Sequence, residues 1–262
     1  MTSPSAPRIQ VSGVTSGYGD TPVIRGIDLS IPADAVTTLI GPNGCGKSTL
    51  LKSMCSLLDY TGEISLAGRD LRDYGRRERA RHLTMLPQSP VAPDGLTVRQ
   101  LITRGRHPYQ SWLRQWSEDD ERLLAHAVET TGLADLIDRP VSSLSGGQRQ
   151  RVWIAMIIAQ DTDTMLLDEP TTYLDLAYSI EVLKLVARLQ REQNKTVVMV
   201  LHDLNLAARY SDHLVAMGRN GEIAAAGAPE EVLTEQLLAE VFGLDALVVP
   251  DPVTSGPWVV PR

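Results

Sequence analysis

Short apolar runs alternate with longer amphipathic stretches along most of this chain. Residues 36–40, 164–167 and 196–201 are largely apolar, as is typical of strands buried on both sides of a sheet. Residues 48–58 follow the first run as a predicted helix. Residues 178–193 repeat apolar positions at helical spacing, with charged residues on the other face. This alternation predicts an α/β fold.

Three segments depart from the alternation. Residues 8–31 contain β-like pieces separated by glycine and proline, which predicts an antiparallel flap. Residues 96–159 are mostly helical, with Ser117 as a good N-cap and Gly132 as a stop signal, and we interpret them as an insertion between two halves of one sheet. Residues 251–262 are rich in proline and glycine and are interpreted as a C-terminal tail.

Composition and charge narrow the possible roles. The net charge of −7 argues against nonspecific nucleic-acid binding, which relies on many Lys and Arg contacts to phosphate. The N-terminus lacks the pattern of a signal peptide, and the apolar stretch at residues 152–159 is too short to span a bilayer. Cys45 and Cys55 are expected to be reduced thiols.

A glycine-rich loop follows the first predicted strand and fits the pattern G-x-x-x-x-G-K-[ST]. It consists of Gly41, Pro42, Asn43, Gly44, Cys45, Gly46, Lys47 and Ser48, with Thr49 next. Such a loop turns backbone N–H groups onto phosphate oxygens at the positive end of a helix. Lys47 is expected to neutralise the β- and γ-phosphates, Ser48 to ligate Mg²⁺, and Thr49 to add a hydroxyl near the α-phosphate. The loop therefore predicts ATP and Mg²⁺ as ligands.

Two carboxylates end the second apolar run. Asp168 is the last residue of that run, where a group that supports Mg²⁺ is expected. Glu169 follows it and would face the γ-phosphate, where it can orient and polarise the attacking water.

A second glycine turn, Ser145-Gly146-Gly147, opens a predicted helix that continues to about Gln160. A serine hydroxyl and two glycine N–H groups at a helix N-terminus form an anion site, although a simple helix cap has the same pattern. Two phosphate-binding loops exceed the needs of one nucleotide.

Residues 144–151 resemble the signature motif of ATP-binding-cassette (ABC) ATPases. The resemblance implies a P-loop NTPase fold with a RecA-like core, an antiparallel β subdomain and an inserted α-helical subdomain. In this family, the signature of one subunit completes the nucleotide site of another. Ser145, Gly146, Gly147 and Gln148 are then implied to serve a second ATPase subunit, either a second copy or a homologue. The implied boundaries are residues 8–245 for the ATPase domain, about 8–95 and 160–226 for the core, 96–159 for the helical subdomain, and 246–262 for a C-terminal tail.

The same resemblance implies roles for four further residues. Tyr18 is similar to the aromatic residue that stacks on adenine, although a core aromatic of the flap is an alternative. Gln88 resembles the glutamine that reaches Mg²⁺ and the attacking water. Asp175 resembles the aspartate that bridges two subunits. His202 is similar to the histidine that contacts the γ-phosphate, although a buried structural histidine is the alternative. The implied catalytic set is Lys47, Gln88, Glu169 and His202.

Several segments resemble the ATPases of ferric-siderophore importers, a pattern largely shared by haem and cobalamin importers. They are residues 41–49, 104–109, 115–117, 170–175, 201–205 and 251–261. The resemblance implies a peripheral subunit at the cytoplasmic face of the membrane, bound to a separate integral-membrane permease. A substrate-binding protein would act indirectly.

Three alternatives remain at this point. The arginine-rich run at residues 72–81 is either a solvated helix face or a surface that docks on the permease. A soluble ABC ATPase of DNA repair or translation is disfavoured by the single cassette and the absence of a long coiled-coil insertion. A nucleotide-binding regulator outside the ABC family is disfavoured because Glu169 and His202 are both present.

Overall fold

The computed structural model describes residues 6–111, 116–172 and 174–262, which divide into two compact units. The first unit contains the chain up to Asp73 and from Gln190 onward, and the second contains Tyr74–Leu189. Gln115 and Tyr173, which belong to segments highlighted in the sequence, lie outside the described residues. Among the described residues, no helix is long and apolar enough to cross a membrane.

The first unit holds a mixed sheet and an antiparallel sheet. In the mixed sheet, β3 pairs in parallel with β8 on one side and β9 on the other, and β10 pairs antiparallel with β9. The antiparallel sheet has the order β2-β1-β4-β5. The strands of this unit are β1 (Ile9–Tyr18), β2 (Thr21–Ile31), β3 (Val36–Ile40), β4 (Tyr60–Leu66), β5 (Arg69–Asp70), β8 (Thr196–Val200), β9 (His213–Met217), β10 (Ile223–Gly227), β11 (Ala246–Pro250) and β12 (Pro257–Pro261).

The second unit combines a parallel strand pair with helices. Strands β6 (Leu83–Leu86) and β7 (Thr164–Asp168) pair in parallel, and the helical insertion lies between them in sequence. Helix α5 (Gly146–Gln160) packs against α3 (Val98–Thr103) and α4 (Glu118–Thr130), and its buried residues include Val152 and Ile154. The remaining helices of the chain are α1 (Lys47–Met54), α2 (Arg76–His82), α6 (Leu176–Gln193), α7 (Leu204–Tyr210), α8 (Pro229–Val232) and α9 (Glu235–Leu237), with single helical turns at 71–73, 104–106, 134–136, 141–143 and 238–242.

One predicted boundary differs from the structure. Helix α1 ends at Met54 rather than near Leu58, because Ser56 adopts a left-handed backbone conformation (φ 52°) that cannot continue a helix. The C-terminal tail contains regular structure, since β11 and β12 form a hairpin with Val249 opposite Trp258. The prolines stand at the hairpin ends, where they do not interrupt the pairing.

The arginine-rich run includes an exposed helix. Helix α2 has no buried residue. Arg72 pairs with Asp70 at 3.0 Å, and its hydrogen bonds hold the pKa of that carboxyl below the ordinary value. Arg81 donates to the carbonyl of Pro108. This exposure agrees with a solvated helix face, and permease docking stays a prediction.

A buried arginine organises the helical part of the second unit. The guanidinium of Arg106 is 2% exposed and donates to the Asp120 carboxylate at 2.7 Å. It also donates to the carbonyls of Ala159 and Gln160, at the end of α5, where helix carbonyls lack intrahelical partners. The ring of Tyr109 stacks against it, with the guanidinium carbon 3.9 Å from the ring centroid.

Candidate nucleotide-binding site

The glycine-rich loop of the first unit has the conformation that a phosphate cradle requires. Gly41 and Gly46 have positive φ angles of 152° and 104°. A Cβ on Gly46 would lie 2.5 Å from a methyl group of Ile24, so a larger residue does not fit there. Gly46 is the N-cap residue of α1 and no side chain caps that helix, so the positive helix end is open to an anion.

The lysine of this loop is held by the loop itself. Lys47 Nζ donates to the carbonyl oxygens of Gly41 at 2.8 Å and Pro42 at 2.9 Å, and the side chain is 6% exposed. The thiol of Cys45, 3.8 Å from the same nitrogen, is also buried. Carbonyl oxygens are weaker partners for an ammonium than phosphate oxygens are, so a bound phosphate can replace them.

Tyr18 ends strand β1 and lines a cavity of about 520 Å³ that is bordered by residues 15–22 and 58–61. Its ring is 52% exposed, and Lys52 Nζ lies 3.3 Å from its hydroxyl. A core position for this aromatic residue is therefore wrong, and its exposed face is available for stacking.

The two carboxylates of the second unit follow the buried strand β7. Asp168, its last residue, is 2% exposed. Glu169 adopts a left-handed backbone conformation (φ 52°), which is uncommon for a residue with a side chain and marks a constrained position.

Glu169 is held by two side-chain donors. Gln88 Nε2 donates to Glu169 Oε2 at 2.7 Å, and the hydroxyl of Thr172 donates to the same oxygen at 2.8 Å. The structure thus brings together Gln88 and Glu169, which are 81 residues apart in sequence. Thr172 was missed by sequence reasoning, although its position three residues after Glu169 is a signal for a local hydrogen bond.

The second glycine turn is a helix cap with exposed ends. Ser145 Oγ accepts from the backbone N–H of Gln148, and the Gln148 side chain accepts in return from the Ser145 N–H at 3.0 Å. Ser145 and Gly146 are exposed. A serine that accepts a cap bond through its oxygen keeps its O–H available as a donor. The cap and the anion-site interpretations are therefore compatible.

Helix α5 also contacts the segment that follows Glu169. Gln150 Nε2 donates to the carbonyl of Pro170 at 2.8 Å. Asp175 Oδ1 accepts from the N–H of Tyr178 and so caps α6, which begins one residue later. Asp175, Leu176 and Tyr178 are exposed, and a contact of Asp175 with another subunit stays a prediction.

His202 follows strand β8 in the first unit and is exposed, which contradicts the alternative of a buried structural histidine. Asp203 next to it caps helix α7 by accepting from the N–H of Leu206 at 2.9 Å. The predicted site residues are thus shared between the two units. Tyr18, the loop at 41–49 and His202 belong to the first, and Gln88, 145–148, Asp168, Glu169 and Asp175 belong to the second.

The residues predicted to hold Mg²⁺ carry oxygen donors. Among the described residues, no three His, Cys, Asp or Glu side chains are grouped as a metal site. Mg²⁺ is typically held by one or two carboxylates, waters and the phosphates of its substrate. The hydroxyl of Ser48, the amide oxygen of Gln88 and the carboxylate of Asp168 are hard oxygen donors of that kind.

Comparisons with known proteins show the family to which the chain belongs. A family model described as "ABC transporter" matches residues 24–172. The achromobactin transport ATP-binding protein CbrD of Dickeya dadantii is 53% identical over 95% of this chain and 92% of its own. The petrobactin import ATP-binding protein FpuD of Bacillus anthracis is 48% identical over 97% of this chain and 93% of its own.

A solved structure gives the same result for the fold. It is an inward-facing metal-chelate-type ABC transporter, with a TM-score of 0.82, 25% identity, and coverage of 97% of this chain and 96% of the matched chain. The mixed α/β architecture, the phosphate loop and the signature turn all lie on a chain of this fold. The chain therefore belongs to the ABC transporter family, as an ATP-binding subunit with the P-loop NTPase fold.

Proposed function

We propose that this chain hydrolyses ATP to drive uptake of a ferric siderophore through a separate integral-membrane permease. The observation that carries the catalytic part is the Glu169 carboxylate, fixed by Gln88 and Thr172 at the end of a buried strand. The siderophore assignment is supported by relatives whose names specify achromobactin and petrobactin transport. The permease would hold the chain at the cytoplasmic face of the membrane.

In the proposed reaction, the residues of the chain position and polarise rather than form covalent bonds. Lys47 exchanges the carbonyls of Gly41 and Pro42 for phosphate oxygens, and the open N-terminus of α1 adds its N–H groups. Glu169 accepts a hydrogen bond from the attacking water and orients it in line with the γ-phosphate. Gln88 and Thr172 keep that carboxylate in one orientation, and His202 donates to the γ-phosphate. Mg²⁺, held by Ser48, Asp168 and Gln88 with the phosphates, would supply charge neutralisation.

The proposed working unit is a pair of ATPase subunits, either two copies or this chain with a homologue. Ser145 and Gly146 are exposed, so the Ser145 O–H and the N–H groups at the start of α5 are accessible to a partner. These groups would complete the phosphate site of the partner. The substrate-binding protein would act only through the permease.

Ser145→Arg tests the pairing. We expect ATP turnover to fall by about 10²-fold, because the variant removes a phosphate donor and blocks close approach of the partner. ATP affinity of the separate chain should stay within about twofold, because the bound phosphates lie on Lys47 of the same chain. Turnover and fluorescent-nucleotide binding measure the two quantities.

Two further variants make this test specific. Ser145→Asp keeps a cap acceptor for the Gln148 N–H but repels the partner's phosphate, so it should lose turnover as well. Ser142→Arg changes an exposed serine three residues upstream and should leave turnover unchanged. Loss of ATP affinity in the separate chain carrying Ser145→Arg would contradict a role in the partner's site.

The transported ligand is tested by uptake in cells that lack this ATPase. We expect the wild-type chain to restore uptake of ⁵⁵Fe-labelled achromobactin or petrobactin, and the Glu169→Gln variant to restore none. Labelled haem and cobalamin serve as comparisons, since importers of both share much of the sequence pattern. Restoration of haem or cobalamin uptake alone would contradict the siderophore assignment, and restoration of no uptake would contradict a role in import.

A further inference from the structure

The C-terminal hairpin of β11 and β12 is built around a buried aspartate. Asp251 accepts from the backbone N–H of Ser255 at 2.8 Å and donates its own N–H to Gly256 at 2.7 Å, which closes the turn. Its side chain is 2% exposed, and Oδ1 accepts from the Val253 N–H. Asp251 therefore has a fixed position in the hairpin, with Oδ2 directed away from the turn.

Helix α7 binds this hairpin through Asn205. The Asn205 side chain accepts from the N–H of Val259 at 2.7 Å and donates to its carbonyl at 3.2 Å. In an antiparallel ladder, alternate residues direct both backbone groups away from the neighbouring strand. Asn205 satisfies both such groups of Val259, which neither aspartate nor an apolar residue can do.

A second contact lies one helical turn further along the same face. Arg209, four residues after Asn205, donates to Asp251 Oδ2 through Nε at 3.0 Å and Nη2 at 2.6 Å. Its guanidinium carbon lies 5.4 Å from the centroid of the Trp258 ring. The short helix is thus attached to the hairpin at two points.

These contacts fix the position of helix α7, which has little packing of its own. Helix α7 has seven residues, of which only Ala207 is buried, and isolated helices shorter than about 12–15 residues are marginal in water. His202 stands between the end of β8, which the mixed sheet fixes, and the start of α7 at Leu204. Any tilt of α7 therefore changes the backbone direction at His202.

We propose that Asn205 and the Arg209–Asp251 pair are positioning residues for His202, and that the C-terminal hairpin is a brace for the segment that carries it. The proposal rests on the proposed function, in which His202 contacts the γ-phosphate. The proposal assigns a role in catalysis to residues 201–205 and 251–261, two segments that stand out in the sequence only because they resemble the ATPases of ferric-siderophore importers.

The test measures ATP turnover by the purified full-length chain. Asn205→Ala should lower kcat by about tenfold, because small misplacements of reacting groups cost up to about 10² in rate. KM for ATP should change by less than about twofold, since the phosphate loop is untouched. Asn205→Asp keeps the acceptor for the Val259 N–H and should show a smaller loss of kcat. The control Arg262→Ala removes ion pairs to Asp245 and Glu235 in the same C-terminal region but keeps the hydrogen bonds of Asn205 and Arg209, so kcat should be unchanged.

A double-mutant cycle with His202→Ala separates positioning from general destabilisation. In the His202→Ala chain, adding Asn205→Ala should lower kcat by less than about twofold more, because the group it positions is already absent. A full tenfold loss in that background would overturn the proposal, as would unchanged kcat in Asn205→Ala alone. If His202→Ala itself had no effect on kcat, the assigned role of His202 would fail, and the brace with it.

Discussion

Glu169→Gln is expected to lower ATP turnover by about 10²–10⁴-fold while ATP binding is retained. The glutamine has nearly the shape of the glutamate, and its amide oxygen can still accept from Gln88 Nε2, as Oε2 does now at 2.7 Å. The left-handed backbone at this position is equally accessible to either residue. What the variant loses is the negative charge that polarises the attacking water.

Single-turnover hydrolysis and nucleotide binding should be measured together on this variant. Turnover should fall without loss of affinity, and with ATP bound the chain should sediment as a dimer, because the nucleotide that joins the two subunits is not consumed. Glu129→Gln, at an exposed glutamate near the end of α4, is the matched control and should hydrolyse ATP normally. Normal turnover by Glu169→Gln would remove this residue from the catalytic role.

Three buried strands could be predicted because their sequences are short, largely apolar runs. Residues of β3, β7 and β8 are buried at every position, which agrees with that pattern. The end of α1 was predicted too late in the chain, because the apolar spacing continues beyond the point where the helix ends. Leu57 continues the apolar spacing of that helix but is 63% exposed, because the chain turns at Ser56 before reaching it. Local spacing does not report such a turn.

The candidate site shows a similar division. The phosphate loop could be read from spacing alone, because its chemistry is local to nine residues. The contact between Gln88 and Glu169 joins positions 81 residues apart, and no periodicity encodes that distance. Only the family resemblance suggested Gln88 as a catalytic residue. The brace between α7 and the C-terminal hairpin is non-local too, and the proline and glycine content of that segment did not indicate the hairpin that forms.

The burial of Arg106 was the feature of the fold that was hardest to predict, because a charged residue in a helical region is usually exposed. Its burial depends on three distant partners, which are Asp120 and the carbonyls of Ala159 and Gln160. Burial acts to raise the pKa of Asp120, but hydrogen bonds from Arg106 and Ser117 outweigh it and hold that pKa below the ordinary 3.8. Asp120 therefore stays ionised beside the arginine at neutral pH.

Arg106→Met is expected to lower the free energy of unfolding by about 3–5 kcal/mol, because it leaves the Asp120 carboxylate buried without its cation. Urea unfolding at pH 7 measures the loss. Arg99→Met is the matched control, since the Arg99–Glu121 pair is 49% and 55% exposed and such pairs contribute about 1 kcal/mol or less. Replacing both partners, as Arg106→Met with Asp120→Leu, should recover most of the lost stability, because no unpaired charge remains.

The stability that Arg106→Met loses should also depend on pH, and the ionisation of Asp120 sets the direction of that dependence. A carboxylate whose pKa is lowered by folding contributes stability above its unfolded pKa, and this contribution disappears as the pH falls through the folded value. In the Arg106→Met variant the buried carboxyl can be relieved by protonation. The difference in the free energy of unfolding between the wild-type and variant proteins should therefore be largest near pH 7. It should become smaller as the pH falls toward 3.8 and below. A difference that is constant from pH 7 to pH 4 would show that lost packing of the arginine, rather than the unpaired charge, dominates the destabilisation.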